Sequence, residues 1–321
     1  RTKAPIHVWR APVLQSTVGA TVLVPAISGP KDVSSGIQRQ LIATAPSNVG
    51  RSTTLIDPDE LTHMGENKIA LVSFDEQDPS DLVVSHQARQ ADADFILQGE
   101  ILLDRRPGPN EHGSDQAPNA RRLLCSWRLV PTSDTAAQNA NGSPMGEPVA
   151  FSLDQAIDKY PDLALARDPD AALQAAVVRG SLELITPWVD RERIQLDVPF
   201  GMLGSRTIRK ANGLARQGRW AEAEQLWQEA HDRFPWSSAA SHNLALASVA
   251  KQDFSAARTL ARRAVRLKPT RRHQRTLAWV EQTQRAYHDA FQLADPPEGW
   301  SITRSATASN RNEFPNGNDG G

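Results

Sequence analysis

Cysteine is all but missing from this chain. Cys125 is the only one in 321 residues, so no disulfide can form within it. Long apolar runs are missing as well: none approaches the roughly 18–20 residues that a membrane-spanning helix needs. Neither sign of charge is in excess. The 36 Lys and Arg stand against 37 Asp and Glu, a formal net charge of −1, which exerts no global pull toward nucleic acid or an anionic membrane.

Catalytic signatures are missing too. There is no phosphate-binding GxxxxGK[ST] loop, no GxGxxG, no HExxH, no CxxC and no GxSxG. The eight histidines, at positions 7, 63, 86, 112, 231, 242, 273 and 288, show no metal-ligand spacing. His63 lies near Asp57, Asp59 and Glu60, but a helix start accounts for those acids, with Asp at the cap, Pro58 in the first turn and Glu three residues on. Asp92 with Asp94, and Asp78 with Asp81, fall at helix boundaries, where carboxylates cap or are solvated. The expectation is no metal, no cofactor and no catalytic residue. The enzymatic alternative is a hydrolase-type site assembled between domains from residues far apart in the chain.

What is present suits two globular domains: 39% of residues are apolar and 23% charged. Ala20–Ile27 is an apolar run of strand length closed by Ser28-Gly29-Pro30. Val33, Ile37 and Leu41 then recur every four residues, which predicts a helix with one buried stripe. Thr53–Ile56 and Phe95–Leu103 predict strands, Lys68–Phe74 is a further apolar run, and Asp81–Ala91 predicts a helix. Arg122–Val130 places Leu123, Cys125, Trp127 and Leu129 on one face of a strand, and Val149, Phe151 and Leu153 alternate again, as in a hairpin. Cys125 is therefore expected in the core. The polar stretches 104–120 and 132–147 predict flexible loops. Asp168-Pro169 predicts the start of a helix through Leu173, Val177, Gly180 and Leu184, and Trp188–Val198 a short extended segment. Residues 1–200 thus read as an α/β-type layered domain with a mixed sheet, followed by an all-α array over 201–294, an α+β protein. The low-complexity tail, 295–321, predicts disorder.

The clearest signal is an internal repeat. Gly218-Arg219-Trp220 corresponds to Gln252-Asp253-Phe254, Ala223 to Ala257, Ala230 to Ala264 and Pro235 to Pro269, each at a spacing of 34 residues. Alanines let antiparallel helices approach, an aromatic sits at the turn, and proline stops the second helix. The pattern resembles tetratricopeptide repeats, as units 204–237 and 238–271, with a capping helix over 272–294 through Leu277, Val280 and Tyr287.

That resemblance implies a concave groove that binds an extended peptide or a partner helix. Its lining would be Ser205, Ile208, Asn212 and Ala215 in the first unit, and Ala239, His242, Leu246 and Val249 in the second. Asn212 and Asn243 match the asparagines with which some such proteins clamp a terminal carboxylate. Ile208 stands where that clamp has a lysine, so the implied ligand is apolar, or the protein's own first domain. The stretches TVLVPAI, TTLIDPDEL and QARQADADFILQGEI look like the α/β domains of the TolB amino terminus and the curli-secretion lipoprotein. The join TPWVDRERI is similar to uncharacterised bacterial envelope lipoproteins that combine both parts. These resemblances imply a periplasmic or membrane-anchored protein of assembly and contact, with a signal peptide or lipid anchor expected upstream of Arg1.

One charge feature stands out. Between Asp253 and Glu281 lie Arg258, Arg262, Arg263, Arg266, Lys268, Arg271, Arg272 and Arg275, with no acid. The simplest reading is the solvated outer face of a repeat helix. The alternatives are a dock for an acidic partner or the acid-rich first domain, or phosphate and nucleic-acid binding, although no aromatic is interleaved. The expectation overall is a non-catalytic protein-binding scaffold of the bacterial envelope, with a protein or peptide partner and no nucleic acid.

Overall fold

The computed structural model of the chain describes residues 2–48, 50–58, 81–105, 121–132, 146–199, 201 and 203–301. Lys68–Phe74, the acids Asp59, Glu60 and Asp78, His63, positions 106–120 and 133–145 of the two polar loops, and 302–321 lie outside these residues. The strands are β1 (Lys3–Arg10), β2 (Thr21–Leu23), β3 (Thr54–Ile56), β4 (Phe95–Arg105), β5 (Arg122–Pro131), β6 (Val149–Ser152) and β7 (Trp188–Gln195). The helices are α1 (Lys31–Thr44), α2 (Asp81–Gln90), α3 (Leu153–Lys159), α4 (Pro169–Ile185), α5 (Ser205–Arg216), α6 (Trp220–Arg233), α7 (Ser238–Ala250), α8 (Phe254–Leu267) and α9 (Arg271–Phe291). Two units result: residues 10–188 with 289–292, and residues 1–9 with 189–288 and 293–321.

The first of these is the expected α/β layer. Its sheet runs β3-β2-β4-β5-β6, with β2 parallel to β3 and β4, and β4, β5 and β6 antiparallel in turn. A parallel join needs a crossover, and α1 supplies it between β2 and β3. Val33, Ile37 and Leu41 of α1 and Leu173, Ala176 and Val177 of α4 share one core with Leu123, Cys125, Trp127 and Leu129 of β5. Val84 and Ala88 of α2 pack with Leu23 and Ile96 in a second cluster. Trp127 fits because Gly99 lies opposite: a Cβ there would stand 2.5 Å from the indole ring. Asp168 caps α4 as expected, its Oδ1 accepting the Asp170 N–H at 2.9 Å with Pro169 in the first turn. Cys125 is fully buried, and burial, with the charge of Asp104 adding, pushes its thiol up to about 12. It is a core residue and an inert one.

In the second unit, α5 with α6 and α7 with α8 form two helical hairpins in the expected register, and α9 follows them. Ala223, Ala230, Ala257 and Ala264 are all buried. The repeat extends to the backbone: Gly218 has φ +80°, and Gln252, 34 positions on, has φ +63°. Both α-hairpins therefore turn through a left-handed residue.

The structure draws the boundary between the units elsewhere than after residue 200. β1 and β7 pair as a two-stranded sheet, and the Leu196 N–H donates to the Thr2 carbonyl at 2.9 Å. That bond ties the start of β1 to the end of β7, so the strands run antiparallel. Ala4, Ile6, Val8, Ile194 and Leu196 belong to the same core as Ala211, Trp227, Leu246 and Val280 of the helices. Trp220 Nε1 donates to the Pro5 carbonyl at 2.8 Å, and Trp279 Nε1 to Glu192 at 2.9 Å. Residues 10–188 are an insertion between the two strands of this ribbon. Pairing across so long a separation leaves no local mark in the sequence: β1 is not among the expected elements, and both strands fall within the 1–200 span expected for the α/β domain.

The tail is corrected in part. Glu298 pairs with Arg258 at 3.2 Å, Trp300 Nε1 donates to Asp295 at 2.9 Å, and the Trp300 ring lies 4.7 Å from the Arg285 guanidinium. Residues 295–301 are thus packed on the repeat unit. One tryptophan outweighs the polar composition that made the whole tail look disordered.

Candidate functional site

The residues expected to line the groove come together, and the chain itself covers them. Ile208, Ala215, Leu246 and Val249 are buried in the core of the repeat unit. Asn212, His242 and Asn243 are buried as well, and all three reach the segment Gln195–Asp197. This segment continues β7 in extended form, in the position where a peptide ligand was expected. An open groove is therefore not what the structure shows.

Asp197 is the centre of the arrangement. Its N–H donates to Asn243 Oδ1 at 2.8 Å, and its carbonyl accepts from Asn212 Nδ2 at 2.9 Å and from Asn243 Nδ2 at 3.0 Å. The second Asn243 amide proton goes to Asn212 Oδ1 at 2.9 Å, and Trp227 Nε1 donates to the same oxygen at 3.0 Å. Asn243 stands 31 residues after Asn212 rather than 34, so Leu246 holds the truly equivalent place. The offset of about one helical turn brings the two amides face to face.

The Asp197 carboxylate is held from α9. Arg272 Nη1 bonds Oδ1, and His273 Nε2 lies 2.9 Å from Oδ2, while His273 Nδ1 lies 2.7 Å from the Lys268 carbonyl. Both ring nitrogens of His273 thus face acceptor oxygens, and Arg272 supplies the charge opposite the carboxylate. Burial acts to raise Asp197, but the His273 hydrogen bond, His242 and the Arg272 charge outweigh it and hold the carboxyl at about 2. His242 Nε2 lies 3.2 Å from the Gln195 carbonyl, and Nδ1 is buried without a hydrogen-bond partner in the described residues. Burial, countered in part by that backbone contact, pushes His242 down to about 4. The rings of His242 and His273 lie 5.0 Å apart.

These groups bind a backbone and a carboxylate. The asparagine pair was legible in the sequence, and so was the absence of the clamp lysine. Arg272 and His273 of α9 supply the cation from elsewhere. Their partner Asp197 carried no signal, because a single acid in an extended segment is indistinguishable from a solvated one. Among the described residues no group of three or more His, Cys, Asp or Glu is placed to hold a metal ion.

The basic strip does not form one face. Arg258 is buried, with its Nη2 donating to the Gly299 carbonyl at 2.8 Å. Arg262 donates to Ser301 Oγ at 2.7 Å, Arg263 to the Pro235 carbonyl at 3.0 Å, and Arg272 holds Asp197. Arg266, Lys268, Arg271 and Arg275 are exposed. Helical geometry divides the run, because residues adjacent in sequence point about 100° apart around the axis.

The tetratricopeptide repeat family model matches residues 214–280. No curated protein matches the chain. Among solved structures, the PelC dodecamer from Paraburkholderia phytofirmans is 10% identical, with 56% of this chain and 96% of that one covered at a TM-score of 0.31. The hypothetical protein CT253 from Chlamydia trachomatis is 14% identical, with 51% and 91% covered and a TM-score of 0.26.

Proposed function

We propose that this chain is a non-catalytic scaffold that binds another protein, and that it works in the bacterial cell envelope. The tetratricopeptide repeat match over 214–280 carries the first part, since such repeats suggest protein–protein interaction. The envelope placement rests on the resemblance of the TVLVPAI, TTLIDPDEL and QARQADADFILQGEI stretches and of the TPWVDRERI join. Occupation of the groove by Asp197 favours a partner contact on the outer surfaces of the repeat unit, rather than a peptide threaded through its concave side.

Affinity capture from cell envelopes, read by mass spectrometry, tests this with the full chain against residues 10–188. A protein held by the full chain and lost with the shorter form supports a repeat-based scaffold. Equal capture by both moves the function to the α/β unit. Fractionation of cells reads the location separately: recovery with the cytoplasmic fraction removes the envelope part of the proposal.

A further inference from the structure

One end of the repeat helices gathers exposed apolar and cationic side chains. Turns of three or four residues join α5 through α9, so consecutive helices run antiparallel. The start of α5, the α6–α7 turn and the α8–α9 turn therefore share an end. A Cβ on Gly204 would stand 2.7 Å from the Phe234 ring, which lies 5.9 Å from the Trp236 ring. Arg263 of α8 donates to the Pro235 carbonyl at 3.0 Å, and Leu267 follows one turn on. Leu203 is 70% exposed, Trp236 57% and Leu267 41%. Within segments 203–206, 232–238 and 266–271, Arg206, Arg233, Arg266, Lys268 and Arg271 are all exposed, against the single acid Asp232. Helix dipoles account for Arg233 and Arg266, in the last turns of α6 and α8. They do not account for Arg206 and Arg271, which stand in the first turns of α5 and α9, where the dipole disfavours a cation. The side chains of Arg206, Arg266, Lys268 and Arg271 have no ion-pair or hydrogen-bond partner among the described residues.

We propose that this end of the repeat unit docks on an anionic phospholipid surface. Leucines carried at helix ends enter the boundary between headgroups and acyl chains, tryptophan is favoured at that depth, and the cations meet the phosphates above it. Nucleic acid would use the cations and leave Leu203 and Leu267 in water, so the apolar component favours lipid. The formal net charge of −1 does not oppose the contact, because salt confines the influence of exposed charges to about 10 Å. Membrane contact of this kind goes beyond the binding of another protein and does not depend on it.

Flotation of the full chain with phosphatidylcholine vesicles, with and without phosphatidylglycerol, tests the proposal. The expected result is binding to the anionic vesicles that weakens as salt rises, and little to the neutral ones. Lys268→Glu combined with Arg271→Glu is expected to weaken binding at least about tenfold. Leu203→Ser with Leu267→Ser leaves the charge unchanged and is expected to weaken it about tenfold. Bromine-bearing acyl chains should quench the tryptophan emission of the parent, and quench it less in Trp236→Phe. The substituted side chains are exposed, so helical circular dichroism should not change. Arg191→Glu with Arg193→Glu makes the same change in net charge on exposed positions of β7 and should bind like the parent. No binding to anionic vesicles at low salt overturns the proposal. So does a leucine pair that binds like the parent, or a β7 pair that loses binding equally. Capture of a protein that the same substitutions release, without vesicle binding, assigns the surface to that protein and overturns the lipid contact as well.

Discussion

Asn243 holds the backbone of Asp197 on both sides: its Oδ1 accepts the Asp197 N–H at 2.8 Å, and its Nδ2 donates to the Asp197 carbonyl at 3.0 Å. One side chain thereby does for this residue what a neighbouring strand does in a sheet. An extended segment laid across helices would otherwise bury its amides unpaired. The groove of the repeats is closed because the chain meets its hydrogen-bonding needs from within.

Asn243→Ala is expected to destabilise the repeat unit by about 2–3 kcal/mol, since the Asp197 N–H loses its acceptor while the Asp197 carbonyl and Asn212 Oδ1 each lose one of two donors. Asn243→Asp keeps the acceptor and loses the donors, and it places a second carboxylate beside Asp197, so it should be no milder. Urea unfolding followed by helical circular dichroism reads both. Unfolding midpoints equal to the parent's would show that the bracket contributes nothing.

Acid should loosen this unit in two stages. His242 titrates at about 4 in the folded protein against an ordinary histidine value of 6.5. The unfolded chain therefore binds more protons between those values, and stability falls as pH drops from about 6.5 to 4, by up to about 1.4 kcal/mol per unit. Asp197, at about 2 against an ordinary carboxyl value of 3.8, contributes stability that is present above about pH 4 and lost as pH falls toward 2. Thermal unfolding across this range should show both slopes, and His242→Gln should remove the first alone. A parent protein whose melting temperature is flat between pH 6.5 and 4 would contradict the burial of a neutral His242.

A fragment of residues 201–301 should fail to fold cooperatively, although it contains every repeat helix. It lacks Ala4, Ile6, Val8, Ile194 and Leu196, which complete the core of the helices. Burying one such aliphatic side chain contributes about 1.5–3 kcal/mol. Residues 1–9 joined to 189–301 by a short hairpin linker should fold, with a sharp thermal transition. A sharp transition in the 201–301 fragment would mean that the ribbon is dispensable.

Gln252→Gly is expected to stabilise the protein by about 0.5–1 kcal/mol, because a glutamine at φ +63° is strained and glycine is not. Gly218→Gln, the reverse exchange at the equivalent turn, should cost a similar amount or more. Melting temperatures of the two variants moving in opposite directions would bear this out, and movement in the same direction would not.

Most of the fold was legible because its signals are local. The period-34 alanines and aromatics marked both helical hairpins, the Val33, Ile37 and Leu41 stripe marked α1, and the Leu123 to Leu129 alternation marked β5. The site was half legible. Asn212 and Asn243 stood out as amides on apolar helices, but their ligand did not, since Asp197 acquires its meaning only from Arg272 and His273, some 75 residues away. The basic run was legible as composition and misleading as geometry, because a helix scatters sequence neighbours around its axis.

By itself, then, the sequence determined the elements: hydrophobic period selects helix or strand, proline and glycine place the turns, and small residues permit close helix packing. Tertiary structure alone decided that β1 and β7 close the repeat unit, that residues 10–188 are inserted between them, and that Asp197 fills the groove. Those outcomes depend on which distant segments bury apolar surface and pair their backbone groups together, and such long-range choices are not encoded in any local pattern of residues.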